Sequence, residues 1–168
     1  MARDMDALDI AKQNSPLTAS HTEPRLPAMT AQAIDKVRAI EAAILSLCEE
    51  VEFPTEHLLH GGMYSRTLRM QAGQVLTGAL LKLPTVLIVS GDCAVFIGEQ
   101  TIELRGYTVL PGSAGRKQVF LAHTDVCMTM LFPSQAQTVA QAEQEFTDEY
   151  ALLMTNRQDC VKTLITGE

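Results

Sequence analysis

The chain has 168 residues, with 20 acidic against 13 basic side chains and a net charge of −7 at pH 7. That length fits one domain, and the acidic balance opposes binding to nucleic-acid phosphates and anionic membranes. Apolar runs such as Val86–Val89 are the length of a buried strand and far short of a membrane span; tryptophan is absent, so no stacking platform for single-stranded bases is in sight.

Residues 1–28 carry Pro16, Pro24 and Pro27 among polar residues, a composition that holds neither a helix nor a central strand. They read as a flexible arm, either disordered or ordering on a neighbouring subunit. The segment lacks the basic-then-apolar order of a signal peptide, which points to a cytoplasmic setting. Residues 29–52 read as a helix with Thr30 as N-cap and apolar residues at Ile34, Val37, Ile40, Ile44, Leu47 and Val51. Its apolar face calls for burial on its own domain or at a subunit interface. Phe53-Pro54 ends it.

From Tyr64 the period changes to two. Tyr64–Met70, Val75–Lys82, Thr85–Ser90, Cys93–Ile97, Gln100–Arg105, Tyr107–Leu110, Lys117–His123 and Val126–Phe132 read as strands, separated by glycine-bearing turns. About eight short strands at this spacing argue for an antiparallel sandwich or barrel over residues 53–133. After Pro133, residues 134–168 start a second helix. Thr138-Val139-Ala140-Gln141 has the form of a capping box, and Val139, Ala142, Phe146, Tyr150 and Leu153 mark one face, so the helix is expected to run to about Asn156 before an undefined tail.

The chemistry-bearing residues are sparse. Cys48, Cys93, Cys127 and Cys160 form no CxxC pair and read as buried or half-buried thiols rather than a zinc site. His57 and His60, before Gly61-Gly62, read as surface or turn histidines in a loop; as a metal site they would be two ligands, with Glu56 as a third. His123 lies near a strand end beside Asp125. There is neither a GxSxG elbow nor a GxxxxGK[ST] phosphate loop. Gly112–Lys117 could cradle an anion with its backbone amides. The anion or ligand contacts this pattern allows are Arg66, Arg116, Lys117 and His123.

Pro54–His57 leading to Gly61–Thr67, Ala72-Gly73 before a strand, Leu87–Asp92, Pro111–Lys117 and Ala122–Asp125 occur in an order that resembles the cupin superfamily. They are also similar to small cupin-like proteins of tailed bacteriophages and prophages. The resemblance implies a mainly β fold, an antiparallel cupin-like β-sandwich (jelly-roll barrel) with an N-terminal and a C-terminal α-helix. A metal cupin carries two histidines and a glutamate around the second and third strands and one histidine after the Pro-Gly turn. Here Thr77–Ser90 contains no His, Asp or Glu, offering Leu81 and Thr85 instead, and the Pro-Gly turn is followed by Arg116-Lys117. No catalytic residue, metal or cofactor is therefore expected. The resemblance implies a non-enzymatic, self-assembling dimer or trimer associated with a virion or the host cytoplasm, with capsid or tail proteins as partners. The alternatives are a cupin enzyme or small-molecule sensor with a non-standard site, or a protein that binds a host protein.

Overall fold

The structure is a computed structural model that describes residues 24–153, Asn156 and 162–166. The alternation that starts at Tyr64 resolves into two facing sheets. In chain order the elements are helix α1 (Ala31–Leu47), strands β1 (Thr55–His60), β2 (Met63–Met70), β3 (Val75–Thr77), β4 (Thr85–Ser90), β5 (Cys93–Phe96), β6 (Thr101–Leu104), β7 (Tyr107–Gly112), β8 (Val119–Ala122) and β9 (Val126–Pro133), then α2 (Val139–Phe146), a 3-10 turn (Tyr150–Leu152) and β10 (Lys162–Thr166). One sheet has the order β10-β1-β2-β9-β4-β7 and the other β3-β8-β5-β6. Taking β2 to β9 in chain order, the halves β2-β9-β4-β7 and β3-β8-β5-β6 are the two layers of an eight-stranded jelly roll. The inward residues of both layers, among them Leu87, Val89, Leu110 and Met128 from one and Cys93, Val95, Leu104 and Phe120 from the other, form one buried cluster.

The strands expected from period-two alternation are present, with β3 stopping at Thr77 rather than Lys82. The expected loop around His57 and His60 is instead β1, joined to β2 through Gly61-Gly62 with both glycines at positive φ. The register pairs His60 with Met63, so this is a two-residue hairpin of the type that needs left-handed residues at both central positions. β1 has an irregular apolar pattern; it is a strand because it adds to the edge of β2, and β10 adds to β1 in parallel.

Helix α1 is capped as expected, with Thr30 Oγ1 accepting from Ala33 N–H at 3.1 Å, but it ends at Leu47 rather than at Phe53. Its buried residues, Ala33 and Val37, lie in its first half. Val37 is fully buried, while Leu47 is 83% exposed. The expected apolar face thus runs off the domain after Ile44. Residues 1–23 of the expected arm lie outside the described residues. The rest of the arm is pinned to its own domain: Leu26 is fully buried, its N–H donates to Pro111 C=O at 2.9 Å, and its C=O accepts from Ser113 N–H at 2.8 Å. Helix α2 also starts as expected. Thr138 Oγ1 accepts from Gln141 N–H, but the Gln141 side chain accepts from Gln137 N–H, one residue before the capping-box position. It stops at Phe146, ten residues before the expected end, because Thr147 turns to donate its hydroxyl to Leu80 C=O at 2.8 Å. Phe146 packs with Tyr64 and Phe132 in a second core of three rings. Of the cysteines, Cys93 is buried and Cys127 half-buried, as expected, whereas Cys48 is exposed; Cys160 lies outside the described residues. No helix among the described residues is long and apolar enough to cross a membrane.

The seating of α1 has a narrow tolerance. Gly98 has φ +96°, and a Cβ there would stand 2.4 Å from Ala33 Cβ. Gly98→Ala should combine a strained backbone with a displaced helix and lose about 1–3 kcal/mol of stability, read by urea denaturation.

Candidate functional site

The jelly roll is not filled to its centre. Leu68, Leu76 and Met130 point inward but remain only partly buried, because they face a cavity of about 670 Å³. The apolar wall is built by these residues with Leu87, Phe120 and Met128. The volume is in the range of small-molecule pockets, roughly 300–1,000 Å³. The mouth is bordered by the last part of α1, the segment 48–53 and Leu152–Leu153, including the exposed apolar residues Leu45, Val51 and Leu152.

Three largely buried cations enter the wall, Arg66 from β2 and Arg116 and Lys117 from the connection between β7 and β8. Arg66 on β2 pairs with Glu143 on α2 at 2.9 Å, both nearly inaccessible to water, and the other oxygen of Glu143 accepts from Asn156 Nδ2 at 2.7 Å. Tyr64 lies against this pair. Burial, opposed by Arg66 and aided by Glu143, pushes its phenol up to about 12, so it stays neutral. Its hydroxyl and His57 Nδ1 share a hydrogen bond of 2.8 Å. His57 is therefore part of the core, whereas His60 is exposed on the opposite strand face. An HxxH spacing on a strand divides its imidazoles between faces. Among the described residues no three His, Cys, Asp or Glu side chains gather as a metal-binding group.

Lys117 is the second cation, buried to 3% exposure. Its Nζ donates to Gly78 C=O at 2.9 Å and meets Glu41 of α1 at 3.2 Å and Glu149 at 3.1 Å. Glu149 also accepts from Leu80 N–H at 2.9 Å and Arg38 at 3.4 Å. Burial alone would raise the Glu149 carboxyl; the Leu80 amide, Lys117 and Arg38 outweigh it and hold it below its ordinary value.

Arg116 is the third and differs from the other two. It is 2% exposed, yet makes no ion pair among the described residues. Its guanidinium lies over Gly112, donating through Nη2 to Thr85 Oγ1 at 2.5 Å and through Nη1 to Ser113 C=O. A Cβ at Gly112 would come within 2.4 Å of the guanidinium carbon, so the Pro-Gly turn must keep its glycine for this side chain to fold inward. Burial without a countercharge lowers the Arg116 pKa to about 10, which leaves it charged at neutral pH. Its Nε, and the Nε2 of neighbouring Gln118, are buried without hydrogen-bond partners among the described residues. Both residues line the cavity.

Of the four expected contacts, Arg66, Arg116 and Lys117 thus share one cavity. His123 lies apart, exposed, with Nε2 3.0 Å from Glu103. Leu81 and Thr85, the apolar and hydroxyl residues offered in place of histidines, are in the cavity wall and under the Arg116 guanidinium, respectively. The sequence reading did not single out Gln118; nothing in its local pattern marks it, since its role comes from burial.

No family model and no curated protein matches the chain. Solved structures do. The chain is similar to a cupin superfamily protein from Desulfitobacterium hafniense at 17% identity, over 54% of this chain and 86% of that one, with a TM-score of 0.44. It is similar to a cupin-2 domain containing protein from Shewanella frigidimarina at 12% identity, over 60% and 98% of the chains, TM-score 0.41. A third is the ectoine synthase from P. lautus, 15% identical over 51% and 66% of the chains, TM-score 0.42.

Two expectations follow for the polar network. Glu143→Ala removes the countercharge of Arg66 in a dry site and should cost about 3–5 kcal/mol in chemical denaturation. Glu149 has a lowered folded pKa, so its contribution is full above the unfolded carboxylate value and is lost as pH falls through the folded one. Stability measured from pH 6 down to pH 3 should therefore fall less steeply in Glu149→Gln than in the parent protein.

Proposed function

We propose that this chain is a small-molecule-binding protein whose jelly-roll cavity holds its ligand without a metal. The observation that carries the reading is Arg116: a buried, charged guanidinium with no acidic partner among the described residues, on a residue that lines a cavity with a large apolar wall. Burying a charge is costly unless it is paired, and a residue that removes itself from water in this way stabilises whatever brings it a partner. The wall supplies the rest of a ligand site, with apolar surface for a hydrophobic body and a few convergent polar groups for orientation. The side chains that line it are read as binding and positioning groups.

A second reading, a self-assembling structural subunit of a bacteriophage or prophage particle, is favoured by a different observation. The outer face of the six-stranded sheet exposes Val86, Val109 and Tyr107 beside the edge strand β7, an apolar surface suited to a second copy. Light scattering across a concentration series addresses it: a dimer or trimer is its expected outcome, and a monomer at every concentration removes its support.

For the binding reading, the test is a thermal-shift screen of the full chain against a library of charged and neutral small molecules, with Leu76→Trp as a cavity-filled control. A ligand at a hundred times its Kd should add about 2.7 kcal/mol of stability, and each kcal/mol raises Tm by about 2–4 °C for a chain of this size. The shift should vanish in Leu76→Trp. A library with no hit on the parent protein, or hits unaffected by filling the cavity, overturns the reading.

A further inference from the structure

We infer that the cavity's ligand is an amphipathic monocarboxylate, seated with its carboxylate on Arg116 and Gln118 and its apolar body on the wall formed by Leu68, Leu76, Phe120 and Met130. This rests on the binding reading above and adds the class of ligand.

The donor inventory selects the head group. Lys117 has its ammonium taken by Gly78 C=O, Glu41 and Glu149, and Arg66 is held by Glu143. Arg116 brings a full positive charge with no negative one paired to it among the described residues, and its Nε–H has no partner among them. A guanidinium presents its donors in a planar fork that matches the two oxygens of a carboxylate. Gln118 Nε2 adds a neutral donor from two residues along the same segment. One unmatched cation and one amide suit a single negative charge; a phosphate ester or dicarboxylate would bring more charge than the site neutralises. Both donors are buried, and the guanidinium is held by Thr85 and Ser113, which do not line the cavity, so seating the carboxylate requires a change of side-chain rotamer, of a kind that is common on binding. Glu49 and Glu50 border the mouth but are exposed, where water and salt screen them.

The rest of the wall selects the body. It is aliphatic and aromatic, with Leu87 and Met128 completing it, and a volume of about 670 Å³ leaves room for more than a short polar acid. Methionines let such a wall adapt to chains of different shape.

The experiment is isothermal titration calorimetry of the full chain with octanoate and 3-phenylpropanoate, each beside its primary amide as a neutral isostere. The carboxylates should bind at least tenfold more tightly than the amides. Gln118→Leu removes a donor that has no partner in the free protein, so it should fold normally and weaken the carboxylates several-fold. Arg116→Lys keeps the charge but loses the fork and should lose most of the preference; Arg116→Met should abolish it. Circular dichroism of each variant verifies that it is folded. Carboxylates and amides binding within twofold of one another overturn the carboxylate inference and leave the binding reading intact. Unchanged preference in folded Gln118→Leu and Arg116→Met does the same. Heat from none of the four probes overturns the carboxylate inference for this cavity; the library screen then decides the binding reading on its own.

Discussion

One ammonium group, Lys117 Nζ, is where the helices and the sandwich meet. It reaches Glu41 on α1, Glu149 beyond α2 and the carbonyl of Gly78 after β3. Glu149 extends the contact to the Leu80 amide and Arg38. The cluster is partly desolvated, which makes each pairing stronger than at the surface and each missing partner more costly. It holds α1 across the opening of the jelly roll and so converts an open sandwich into a cavity with a bordered mouth. The tight approach of Ala33 to Gly98 and the burial of Leu26 fix the other end of the same connection.

Against that background the three buried cations divide by compensation. Arg66 and Lys117 are matched by acids from the helical segments and are structural. Among the described residues Arg116 is matched by a hydroxyl and a carbonyl only. Neutral acceptors orient a guanidinium without cancelling its charge, and the cavity is the open space beside it.

The same residues show how far a linear reading reaches. Period-two alternation in β4, β8 and β9 and the threonine caps of both helices were legible because they depend on neighbours within a few residues. The ends of the helices were not. Leu47 and Val51 continue the apolar rhythm of α1, but the domain offers no surface to them, and the helix stops; α2 stops where Thr147 finds the Leu80 carbonyl. β1 was missed because its pattern is irregular and its stability comes from pairing with β2 and β10. Arg66, Arg116 and Lys117 stood out as basic residues of a cavity-forming fold; that Arg116 alone lacks an acid, and that Gln118 belongs beside it, was hidden in the linear order.

What the sequence by itself determined is therefore the local and periodic part: a single β-rich domain with two capped helices, an inner strand pair lacking imidazole and carboxylate groups, and a Pro-Gly turn leading to two cations. The tertiary structure decided which of those cations are neutralised and which is not. Charge compensation is a property of distances between elements far apart in the chain, Glu41, Glu143 and Glu149 being brought to Lys117 and Arg66 but not to Arg116. Only folding sets those distances.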